Sequence, residues 1–188
     1  MWLLTTLLCM ALAGTAAAQQ RELKEPRVRF GVGYRVSLAL AEQAKVKAGG
    51  IKASEWGSPE YMRGGDLHLE GTVKLTPNWN AGLGVGLGLY DNDTYRAYRI
   101  YAKAEHLYGA ERNRWFNYGE VGTTIYQYYN AGFTAALGGG YRWAITRRTR
   151  LDLTAGLEYL TFVADTQTKD VGVRVGRIGL TLGVAMHF

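Results

Sequence analysis

Ile178-Gly-Leu-Thr-Leu-Gly-Val-Ala-Met-His-Phe188 is the stretch on which the fold turns. Ile178, Leu180, Leu182, Val184, Met186 and Phe188 share one parity, and Gly179, Thr181, Gly183, Ala185 and His187 share the other. Successive side chains of a strand leave opposite faces, so the run has one greasy face and one small or polar face. It also carries an aromatic residue, Phe188, at its carboxy-terminal end. The combination predicts a strand of a β-barrel set in a bacterial outer membrane.

Working back toward the amino terminus, the same period of two recurs in seven more segments. Val28, Phe30, Val32, Tyr34, Val36 and Leu38 alternate with Arg29, Gly31, Gly33, Arg35 and Ser37. Leu67, Leu69, Val73 and Leu75 alternate with Asp66, His68, Glu70, Thr72 and Lys74. Trp79 to Leu89 sets large apolar residues against Asn80 and the glycines 82, 84, 86 and 88. Segments at Tyr98–Glu105, Tyr118–Ile125, Phe133–Trp143 and Leu151–Tyr159 complete the set. The predicted fold is all-β, an eight-stranded antiparallel up-and-down transmembrane barrel.

A soluble sandwich or a lipocalin-like barrel alternates in the same way. Here the apolar parity is nearly free of charge for about ten residues per strand, the length a tilted strand needs to cross hydrocarbon. The opposite parity is crowded with glycine and charge, too small and too polar for a soluble core. Connections are short or moderate at Thr76–Asn78, Gly109–Arg114 and Thr146–Arg148, and tight near Asp91–Asp93 and Tyr128–Asn130. They are longer at Ala41–Glu60 and Ala164–Asp170. An even strand number then puts both termini on the periplasmic side and the long loops outside.

Composition fits this reading. The chain has 188 residues, enough for one domain, with 25 Gly, 13 Tyr and only three Pro. Pro26, Pro59 and Pro77 all fall between the predicted strands, where a missing ladder donor does no harm. Residues 1–18 read as a secretory signal peptide, with an apolar core to Leu12 and the small-residue end Ala16-Ala17-Ala18, although no Lys or Arg precedes the core. Residues 19–26 are then a short periplasmic segment and residues 27–188 the barrel. The one cysteine, Cys9, lies in the signal, so the mature chain is expected to have neither disulfides nor a thiol nucleophile. No nucleotide-binding loop or metal motif is present, and no cofactor is expected. The net charge of +6 lies wholly beyond residue 20. For a secreted chain it points to a phosphate-rich outer leaflet rather than to nucleic acid.

Trp79, Trp115 and Trp143 fall at the predicted periplasmic ends on the outward parity, and with Phe188 they make half of an interfacial girdle. Tyr95, Tyr98, Tyr129 and Tyr159 are candidates for the other half. Eight strands, a polar interior and an aromatic terminal residue resemble the small outer-membrane barrels of the OmpA/OmpX type, across about residues 27–188. The resemblance implies that the terminal strand is the signal for the barrel-assembly machinery. Leu182, Val184 and Phe188 match that pattern, with Met186 at a position usually aromatic. A monomer is expected.

The inward parity carries the cations Arg29, Arg35, Lys74, Arg99, Lys103, Arg142 and Arg177 and the anions Asp66, Glu70, Glu105, Glu120, Asp152 and Glu158. The interior of an eight-stranded barrel is just wide enough for side chains to fill it. Such a set predicts a paired network that plugs the lumen, with the glycines at 82–88 and 138–140 making room for Arg and Tyr. A narrow pore is the alternative. Carboxylates such as Asp66 and Glu70 are expected in this network rather than in acid–base chemistry. The protein is expected not to be an enzyme. A lipid A-modifying enzyme would need a Ser and a His at the outer leaflet, and the mature chain offers only Ser37, Ser54 and Ser58. Met62, Ala97, Tyr126, Leu160, Phe162, Val173 and Val175 make the outer end of the lumen apolar, either a hydrophobic plug or a small pocket for an apolar ligand.

Arg63, Arg96 and Arg174 break the outward pattern at extracellular strand ends and are candidate contacts for lipopolysaccharide phosphates. Lys45, Lys47 and Lys52 add charge nearby. Residues 41–60 are the segment most able to meet an extracellular partner, with Trp56 expected to pack on the barrel mouth. The sequence thus predicts a non-enzymatic barrel serving membrane integrity or surface interaction.

Overall fold

The computed structural model describes residues 27–48, 51–58, 63–90, 95–109, 111–126, 131–146, 148–164 and 171–188. The predicted signal peptide, residues 19–26 and the connections at 91–94 and 127–130 lie outside the described residues. The strands are β1 (Val28–Ala48), β2 (Ile51–Gly57), β3 (Arg63–Lys74), β4 (Trp79–Tyr90), β5 (Tyr95–Leu107), β6 (Arg114–Tyr126), β7 (Gly132–Ala144), β8 (Arg150–Ala164) and β9 (Val171–His187). Omitting β2, neighbours in sequence pair antiparallel, and β9 closes on β1. The result is a closed eight-stranded antiparallel barrel. Phe188 takes part in the closure: its N–H donates to Phe30 O at 2.8 Å.

One rim carries Val28, Phe188 and the short turns. Two of these turns are built alike. Thr76 Oγ1 accepts from the N–H groups of Asn78 and Trp79, and Thr146 Oγ1 accepts from those of Arg148 and Thr149. A threonine hydroxyl thus does locally what a ladder would do in a strand. In the third turn, Gly109 takes a φ of 77°, which a β-carbon would oppose.

The two parities separate as the sequence predicts. Leu83 and Leu137 are 70% and 72% exposed on the outer wall, while Arg99, Asp152 and Glu105 are 2% exposed or less inside. Trp79, Trp115, Trp143 and Phe188 all stand exposed on the outer wall at the terminal rim. Tyr98 is exposed toward the other rim, Tyr159 is half-buried, and the side chains of Tyr95 and Tyr129 lie outside the described part.

The stretch 41–60 departs from the expectation of a loop. β1 continues to Ala48, and β2 folds back on it from Gly57 to Ile51. The cause is a bulge at Leu40, where the β1–β9 register shifts between Ala39 and Ala41. One extra residue reverses the side chains' sides. Odd-numbered residues of β1 face the lumen before the bulge and the outside after it. β2, the upper half of β1, and the ends of β9 and β8 form a fin above the rim opposite the chain ends.

Candidate functional site

The lumen is crossed by ion pairs at two levels. Arg35 on β1 donates through both terminal nitrogens to Glu120 on β6, at 2.8 and 2.9 Å. Four strand positions separate β1 from β6 around the eight-stranded circle, so this bidentate pair spans the full diameter. At the same level Arg99 Nη1 donates to Asp66 Oδ2 at 2.8 Å and to Glu158 Oε2 at 3.1 Å. His68 Nδ1 lies 3.2 Å from Asp66 Oδ1. Below them is a closed ring. Lys103 bridges Glu70 and Glu105, Arg142 joins Glu105 to Asp152, and His187 lies between Asp152 and Glu70. Asn80 Nδ2 donates to Glu105 Oε2 at 3.0 Å.

Aromatic side chains fill the space between the levels, and glycines admit them. A β-carbon on Gly84 would clash with the hydroxyl end of the Tyr101 ring, and one on Gly138 would clash with Ala155 O and lie 2.7 Å from the Tyr118 ring. Arg142 lies over Phe116 at 4.8 Å and Lys103 over Tyr118 at 5.5 Å, so the rings also face cations.

Eleven of the thirteen charged residues assigned to the lumen are buried there, and Lys74 is half-buried. Arg177 differs. Its Nε donates to Glu42 Oε2 at 2.8 Å in the fin, above the two levels. Glu42 was concealed in the stretch read as a loop. Arg114 and Arg150 were missed as well, and both are buried at the terminal rim. Both fall on the inward parity of their strands: Arg150 directly precedes the segment read from Leu151, and Arg114 ends the stretch read as the Gly109–Arg114 connection. His68 and His187 sit within the ion network rather than beside a poised serine. Ser37 is buried in the lumen wall, whereas Ser54 and Ser58 are exposed.

At the outer end of the lumen Ala97 and Leu160 are fully buried, and Val173 and Val175 are half-buried. The side chains of Met62, Tyr126 and Phe162 lie outside the described part.

The three rim arginines do not form one cluster. Arg96 is exposed on β5, and Arg174 is exposed on β9, half the barrel away. The side chain of Arg63 lies outside the described part. Arg174 instead joins the lysines of the fin. The register sets Lys45 directly opposite Arg174, and Lys47 opposite Lys52. Residues directly opposite in an antiparallel ladder share a face. Trp56, paired with Gln43, stands on this same face and is 54% exposed, so it does not pack on the barrel mouth.

No protein-family model and no curated protein matches the chain. Among solved structures it is similar to the outer membrane protein OprG from Pseudomonas aeruginosa, at 8% identity and a TM-score of 0.51, over 87% of this chain and 97% of that one. It is also similar to the outer membrane protein AlkL, solved by solid-state NMR in lipid bilayers, at 10% identity and a TM-score of 0.50, over 93% and 96% of the two chains. The likeness is one of fold. The chain has the architecture of the small eight-stranded outer-membrane barrels, as the resemblance to the OmpA/OmpX type implied.

Proposed function

We propose that this protein is an integral outer-membrane barrel with its chain ends in the periplasm. It is non-enzymatic and plugged, and its fin binds the phosphates of outer-leaflet lipopolysaccharide. The observation that carries this reading is the cationic face of the fin. Like charges directly opposite in a ladder destabilise it, yet Lys47 faces Lys52 and Lys45 faces Arg174. An anionic partner offsets that repulsion. Trp56 on the same face suits a lipid headgroup layer, where amphipathic rings concentrate. The outward apolar parity, uncovered on the described strands, supports a hydrocarbon surround.

Each Lys or Arg near an anionic membrane surface contributes roughly 1 kcal/mol. Reversing three charges in Lys45→Glu/Lys47→Glu/Lys52→Glu is therefore expected to weaken binding to lipopolysaccharide aggregates at least about tenfold. The measurement is surface plasmon resonance on the folded, detergent-solubilised barrel, with phosphatidylcholine vesicles as the uncharged reference. Affinity that neither falls with added salt nor responds to the triple variant would sink the reading.

The plug makes a separate claim. Planar-bilayer recordings of the folded protein are expected to show no steady conductance, because Arg35–Glu120 and Arg99 bar the lumen. A steady current that changes in Glu120→Ala would replace the plug with a pore.

A further inference from the structure

The charges of the fin are sorted by face and by height. Lys45, Lys47, Lys52 and Arg174 share the outward face, whereas Glu42 and Glu55, the latter opposite Ala44, take the inner one. Height can be read from the ladder. On β9 the outward face changes after Ile178, which lies directly opposite Tyr159. The next outward residues are Gly176, Arg174 and Gly172. Each heads a row across the fin. Gly176 is opposite Gln43, and Gln43 is opposite Trp56. Arg174 is opposite Lys45, which faces Ser54, and Gly172 is opposite Lys47, which faces Lys52. A strand rises about 3.3 Å per residue and leans about 40° from the barrel axis, so each row stands roughly 5 Å above the last. Measured from Ile178, Trp56 is then about 5 Å up, Lys45 and Arg174 about 10 Å, and Lys47 and Lys52 about 15 Å.

The lowest of these rows is the headgroup level, where tryptophan rings concentrate. Arg96 stands at the same level half the barrel away, as the next outward residue beyond the exposed Tyr98 on β5. The phosphates of lipid A belong to this level, because they sit on the sugars that carry the acyl chains. Lys47 and Lys52 lie two rows farther out. A lysine that snorkels back along its strand recovers only part of that distance. The phosphates at their height are those on the inner-core saccharide. The pair also fits a single phosphate. Directly opposite residues have β-carbons about 4.5–5.5 Å apart, so both ammonium groups can converge on one phosphate monoester, whose charge is nearly double.

We propose that Lys47 and Lys52, with Lys45 and Arg174 one row below, bind phosphates of the inner-core saccharide of lipopolysaccharide. Arg96 is left as the contact for the phosphates of lipid A. The assignment rests on the reading of the fin as a lipopolysaccharide site, and it adds which part of that glycolipid the fin takes.

The test folds the whole barrel into phosphatidylcholine vesicles that contain an equal share of one of three glycolipids. These are lipid A alone, lipopolysaccharide with a phosphorylated inner core, and the same lipopolysaccharide without its core phosphates. The protein is extracted in mild detergent, and the glycolipid retained per chain is weighed by native mass spectrometry. Lys47→Glu/Lys52→Glu is expected to lower retention of the phosphorylated-core form about tenfold and to leave the other two unchanged. Arg96→Glu is expected to lower all three. Lys47→Gln/Lys52→Gln, which adds no negative charge, is expected to fall between wild type and the glutamate variant, and the gel shift of the folded band checks each protein. Equal losses of lipid A and of the phosphorylated-core form in Lys47→Glu/Lys52→Glu overturn the proposal and leave the fin a lipid A site. Equal losses with and without core phosphates overturn it too, because the contact is then to sugar. Retention that no charge of the fin alters overturns the lipopolysaccharide reading along with it.

Discussion

Arg99→Leu is expected to destabilise the folded barrel by about 3–5 kcal/mol, the range seen when one partner of a buried ion pair is removed. Arg99 is 2% exposed and serves two carboxylates at once, Asp66 on β3 and Glu158 on β8. It also donates to Thr134 Oγ1 at 3.3 Å. Leucine keeps much of the volume but leaves both acids facing an apolar side chain in place of the guanidinium. Urea unfolding in vesicles, followed by tryptophan fluorescence and by the gel shift of the folded band, measures the loss. Arg96→Leu, exposed on the same strand, is the reference and is expected to stay within about 0.5 kcal/mol. A loss under about 1 kcal/mol at Arg99 would show that the network is not held as the geometry implies. Neutralising the acids together with the arginine is expected to recover part of the loss, because the cost lies in uncompensated charge more than in the missing bonds.

The alternation made the barrel and most of this network legible in the sequence. A period of two assigns every residue to a face, and a barrel has only one inside, so thirteen charged residues could be gathered into one space without contact information. What alternation does not contain is which charge meets which. The crossing of Arg35 to Glu120 depends on strand positions around the circle, which follow from closure rather than from local pattern. The fin was hidden for a different reason. Continued past Leu40, the period of the first strand would point Lys45 and Lys47 into the lumen and break the pattern, so the segment read as a loop. The bulge moves them outside and turns the loop into a paired strand. Arg114 and Arg150 were lost at segment ends, where the period has no further residue to confirm it.

Two glycines on one strand, alike in the sequence, are expected to respond in opposite directions. Gly84 and Gly86 both face the lumen from β4. A β-carbon at Gly84 would clash with the hydroxyl end of the Tyr101 ring, which is 3% exposed and cannot swing into solvent. Gly84→Ala therefore forces a buried aromatic off its place, and such overpacking costs about 1–3 kcal/mol. At Gly86 the nearest atoms to a new β-carbon are His68 Cβ and Leu67 O, both at 3.6 Å, an ordinary contact distance. Gly86→Ala is expected to stabilise by about 0.4–1 kcal/mol, since the unfolded chain loses freedom and the folded chain loses nothing. The same urea titration reads both. Tyr101→Ala separates packing from backbone. In that background the ring is gone, and Gly84→Ala is expected to become nearly neutral, a coupling of about 1 kcal/mol or more between residues in contact. Loss of stability by Gly84→Ala that persists without the Tyr101 ring would mean that the glycine serves the backbone. The account of the plug as aromatic rings seated on bare backbone would then fail at its tightest point.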